Sequence, residues 1–191
     1  MVAFKPFTVF AAAVALASTV FAAPTPTKDL SGRDYYSGTA PAGATHSVVV
    51  GRGGLRFDPE NIVAEIGDVV EFHFTPRNHS VVQSNFANPC VPNGPDAFFS
   101  GFFPTESGQN EEVFTIKIWH KNPIWFYCSQ TVGDHCQMGM SGVINQNFDS
   151  NEFTLSRYKE NARNLFGIPA VSPKYIAGGA RTLNPNPLSG F

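Results

Sequence analysis

The sequence predicts an all-β fold, and three observations carry that expectation. Eighteen Phe stand with many Val and Ile among seventeen Gly and fifteen Pro, a composition of short strands joined by tight turns. In VVEFHF, Val70, Phe72 and Phe74 alternate with Val69, Glu71 and His73, the period of two that marks a strand. Helical spacing of apolar residues is confined to one short stretch beyond Phe148.

From the N-terminus, Lys5 precedes an Ala- and Val-rich apolar run over residues 7–21, which reads as a signal peptide of residues 1–22. Cleavage is expected after Ala22, with Ala23 as the alternative, and the run falls short of the ~20 residues that span a bilayer. Residues 23–43, with APTPT and PAGA, lack periodicity and read as a flexible arm. From His46, the segments SVVVG, LRFDP and NIVAEIGDVVEFHF supply strands, and Gly67-Asp68 marks a turn. Residues 83–110 form a long Pro- and Gly-rich loop containing Cys90 and the doublets Phe98-Phe99 and Phe102-Phe103.

Strand signals resume over residues 113–119, where Phe114, Ile116 and Ile118 face one way and Thr115 and Lys117 the other. Pro123 opens IWFYC, with Ile124, Phe126 and Cys128 on one face, and residues 142–145 close the sheet region. Residues 44–148 thus make one β domain. In the C-terminal extension, residues 149–191, Phe153, Leu155, Tyr158, Ala162 and Leu165 are spaced for one short peripheral helix. The Pro- and Gly-rich end, NPNPLSGF, has no hydrophobic tail, so no lipid or membrane anchor is expected.

A formal net charge of −2 is too weak to imply nucleic acid or an anionic membrane as partner. Three cysteines are an odd number. In an oxidising compartment one disulfide leaves one thiol over, either reactive or committed to a metal.

The chemistry concentrates in FYCSQTVGDHCQMGM, which sets a thiol, an imidazole and thioethers close together. Soft ligands in this combination suit copper, which in a mononuclear redox site takes one Cys, two His and a weak axial Met. His79, in PRNHSVV, is the donor for the second imidazole. These residues resemble the cupredoxins, and among them the phytocyanin-like extracellular proteins of the serine-rich-protein type that fungi secrete. The likeness spans roughly residues 44–147 and implies a Greek-key β-sandwich of about seven or eight strands. It implies a metal site of His79, Cys128, His135 and Met140, because the family's axial ligand lies five positions after the second His; Met138 is the less favoured alternative. It also implies a Cys90–Cys136 disulfide. Adjacent residues of an extended chain point to opposite sides, so His135 and Cys136 do not easily face one metal. Two departures stand out: six residues separate Cys128 from His135, more than the family's loop usually has, and the C-terminal extension is long.

His46, His73 and His120 read as structural, since a lone His is more often packed or solvated than a ligand. For Cys128 the competing reading is a buried free thiol or a disulfide with Cys136, and Met140 competes with the role of ordinary gap-filler. Asn78-His79-Ser80 is also a glycosylation sequon, which would need an exposed loop where a ligand needs a partly buried turn. The Phe doublets belong either to the core or to an apolar rim around His135.

The expected function is one-electron transfer by a secreted copper protein, extracellular or cell-wall associated, monomeric, exchanging electrons with a redox protein or a small molecule. The alternative is a surface binding or structural module that keeps the fold without redox work. No enzymatic activity is expected. Five His with no His-x-His pair cannot build a multicopper oxidase cluster, and no Gly-x-Ser-x-Gly elbow is present.

Overall fold

The computed structural model describes Met1 and residues 43–190. The expected signal peptide and N-terminal arm, apart from Met1 and Gly43, lie outside the described residues. Two β-sheets face each other. The larger contains β1 (Thr45–Val50), β2 (Phe57–Asp58), β4 (Val69–Phe74), β8 (Glu112–Lys117) and β11 (Ala180–Leu183), in the order β11-β8-β4-β1-β2. The smaller has the order β3-β10-β9-β6, from β3 (Asn61–Ile62), β10 (Ser141–Ile144), β9 (Ile124–Tyr127) and β6 (Val82–Ser84). A two-stranded ribbon pairs β5 (Arg77–His79) with β7 (Phe103–Thr105). The chain crosses repeatedly between the sheets, and β1 lies parallel to β4 while β4 and β8 are antiparallel.

The alternation in β4 does what period two requires. Val70 and Phe72 stand opposite Ile116 and Phe114 of β8, all facing the core. From the other sheet Phe126 meets them edge-on, its ring 5.5 Å from Phe72 and 4.9 Å from Phe57. Beyond them Phe74 stacks on Phe103. Burying such an aromatic side chain stabilises the fold by about 1.5–3 kcal/mol, which makes this layer the main adhesive between the sheets.

Strands β9 and β10 are buried on both faces. Their outer face is covered by α1 (Leu155–Arg163), where Tyr158 stacks on Trp125 at 5.1 Å and Leu155 joins Val143. Thr154 caps this helix by accepting the Arg157 N–H, which satisfies one of the donors the first turn leaves free. The helix expected from the spacing is present and peripheral.

Beyond the expected closure at residues 142–145, the tail adds a strand. Strand β11 pairs antiparallel with β8, and Arg181 reaches across to Glu112 at 2.5 Å and over the Phe103 ring at 3.9 Å. ARTL shows no apolar alternation because it is a largely exposed edge strand, held by main-chain bonds and Arg181 rather than by burial. The Phe doublets answer to the core: Phe98, Phe99 and Phe103 are buried and Phe102 is half-buried, and none of them lines the cavity beside His135.

The Gly67-Asp68 turn is tied by its acid. Buried Asp68 accepts the N–H groups of Gly43, Ala44 and Glu65 and lies 2.7 Å from His46 Nε2. These bonds, His46's foremost, hold its carboxyl down to about 2. His73 is fully buried, with its ring nitrogens 2.9 Å from Glu71 and 2.9 Å from Gln109, and His120 is exposed.

Candidate metal centre

Three segments converge at one end of the sandwich. His79 ends β5, Cys128 directly follows β9, and His135 and Met140 lie on the β9–β10 loop. That loop closes on itself. The Cys128 N–H donates to the Met140 carbonyl at 3.0 Å, and Met140 N–H donates to the His135 carbonyl at 2.9 Å. His135 N–H donates in turn to Gln130 at 3.1 Å, with the chain reversing at Gly133 and at Asp134, whose φ is +48°. A loop wound this tightly carries Cys128 and His135 to the same point despite the residues between them.

Cys128 Sγ lies 3.3 Å from His135 Nδ1 and 3.9 Å from His79 Nδ1, and the three donor atoms all lie within 4.8 Å of one another. Among the described residues this is the group of His, Cys or acidic side chains placed to hold a metal ion. Met140 is fully buried in the core that also contains Cys128, whereas Met138 is 57% exposed. Of the two methionines weighed from the sequence, only Met140 is enclosed with the thiol.

Burial decides the protonation of the cluster. It pushes the fully buried Cys128 thiol up, against the lowering effect of N–H bonds from Gln130 and Ser80. It pulls His79 down, and holds His135 down to about 4 with help from the charges of His79 and Arg77. Both imidazoles are therefore neutral at physiological pH and offer a lone pair to a cation.

The surroundings fix the His79 ring and the sulfur, and the sequence names none of these donors. Ser80 N–H reaches Cys128 Sγ at 3.4 Å, while Ser80 Oγ meets Ser129 Oγ at 2.9 Å. His79 Nε2 sits 3.2 Å from the Arg77 amide nitrogen and 3.3 Å from the Pro76 carbonyl, which orients its Nδ1 toward the sulfur. Gly51, with φ at +93°, passes so close to the His79 ring that a Cβ there would overlap Nε2. The only sequence trace of this role is the glycine-rich run GRGG, which does not by itself say which glycine is needed.

Cys90 and Cys136 form a disulfide with a Cα–Cα distance of 5.7 Å, so Cys128 is the free thiol and the pairing implied by the resemblance is present. The bond ties the long loop to the residue next to His135. His79 and Ser80 of the sequon are buried.

Comparison with known proteins gives two curated relatives, both from the fungus Arthroderma benhamiae. One is named "Extracellular serine-rich protein", 38% identical over 138 residues, covering 72% of this chain and 52% of the relative. The other is named "Probable GPI-anchored cupredoxin-1", 35% identical over 126 residues, covering 66% of this chain and 62% of the relative. The chain thus spans between half and two thirds of the length of the curated relatives it matches. No protein-family model matches it. Among solved structures, auracyanin B overlays loosely, with a TM-score of 0.40 at 16% identity over 55% of this chain and 89% of that one.

Proposed function

We propose that this chain, a member of the cupredoxin superfamily, would hold one copper ion on Cys128, His79 and His135, with the Met140 thioether as a further, weak donor, and serves in single-electron transfer. The observation that carries the reading is the buried triangle of Sγ and two Nδ1 atoms. Its donors fit copper by chemistry: one thiol that can ionise, two neutral imidazoles, and a thioether enclosed beside them. A structural disulfide has already taken the other two cysteines, so the thiol is free for the metal.

Bound there, copper would alternate between its two oxidation states. The residues supply the rest. Hydrogen bonds hold the His79 ring and the sulfur, and the closed loop backbone carries His135, so little rearrangement need accompany a change of charge. The Ser80 and Gln130 N–H groups stabilise negative charge on the sulfur. The outer edge of the His135 ring faces Gly133 and the cavity, giving an electron a short way out.

By its relatives' names the protein acts outside the cell or at its surface, and we assign it no catalytic role. Voltammetry of the copper-loaded protein on an electrode tests the reading. A reversible one-electron couple, absent from His135→Ala, is expected. Tightly bound copper with no reversible couple would leave a copper-binding surface module instead.

A further inference from the structure

A cavity of about 490 Å³ opens over the outer edges of His79 and His135, within the roughly 300–1,000 Å³ usual for small-molecule sites. Its walls are apolar or bare backbone, from Leu55, Pro76, Gly54 and Val132, the last 80% exposed at the mouth. One charged side chain lines it, that of Arg77, which has no ion pair among the described residues. No acid, hydroxyl or amide side chain lines it.

That lining selects a ligand class. A polyol or sugar needs several directed side-chain partners, which are missing here. A neutral apolar molecule would make no use of the Arg77 guanidinium, the one charged group lining the cavity. A flat apolar body with one anionic group meets both halves of the site, its carboxylate on the forked Arg77 donors and its ring between Leu55 and Val132.

We propose that this cavity binds small aromatic carboxylates, held by Arg77 across the imidazole edges. The site is built from the protein alone and does not depend on copper, so its failure and that of the copper reading can be told apart.

Calorimetric titration of the whole protein with benzoate, metal-free and copper-loaded, tests it, with acetate and benzyl alcohol as partial probes. Saturable one-site binding of benzoate, tighter than either probe, is expected in both forms. Arg77→Gln should weaken it by about tenfold or more, the loss of one charge-assisted contact. Should Arg77→Gln prove poorly folded, Val132→Glu, at an exposed position, sets a like charge at the mouth and should weaken benzoate comparably. Benzyl alcohol binding as tightly as benzoate, benzoate failing to saturate, or folded Arg77→Gln and Val132→Glu binding it unchanged would each overturn the proposal.

Discussion

At the scale of single residues, the centre depends on groups that deny alternatives to its donors. Cys128 is a protonated thiol at neutral pH because burial raises it, whereas both imidazoles are already unprotonated. Copper uptake at pH 7 should therefore release about one proton, from the thiol, which calorimetry in buffers of different ionisation enthalpy will show. Release of two or more would mean that an imidazole was charged beforehand. Gly51→Ala places a methyl group where His79 Nε2 lies, so the ring must turn. Copper affinity should fall by about tenfold to a hundredfold, as when a ligand loses its orienting neighbours, and competition with a chelator measures it. The ligand types could be read from the sequence because cysteine, histidine and methionine declare their chemistry. Gly51, Ser80 and Arg77 could not, because they act through backbone atoms or through a cavity that exists only in the fold.

Among the elements, those legible beforehand have one face in the core. Strands β4 and β8 and helix α1 carry their burial in their spacing, whereas β2, β3 and β5 are too short to show a period and β11 is an exposed edge. Truncation after Gly179 should remove β11 with its Arg181–Glu112 pair and uncover the β8 edge. A lower thermal midpoint and concentration-dependent association are expected, checked by calorimetry and light scattering; an unchanged midpoint would mean the strand is ornamental. The turn into β4 is where acid should act. Asp68 is held at about 2, below its ordinary 3.8, so its stabilisation is complete above about pH 4 and is lost as pH falls toward about 2. Asp68→Asn should be less stable than wild type at neutral pH, with the difference shrinking across that window in acid unfolding curves.

For the molecule as a whole, the sandwich supplies rigidity and the disulfide ties its least regular loop to the metal-centre loop. Cys90 and Cys136 are 46 residues apart, and closing a loop of that size restricts the unfolded chain. Replacing both by Ser should cost roughly 2–4 kcal/mol in denaturant unfolding. The architecture was readable at this scale because composition and alternation agree on strands, and the resemblance supplied the order of ligands. The tail's return to the sheet was not, since nothing in a Pro- and Gly-rich segment announces which edge it joins. Among all these expectations, the copper centre is the central one, and adding one equivalent of Cu(II) tests it most directly. Visible absorption and electron paramagnetic resonance spectra of wild type should show an intense thiolate-to-copper band that Cys128→Ser lacks. A folded wild-type protein without that band would contradict the assignment.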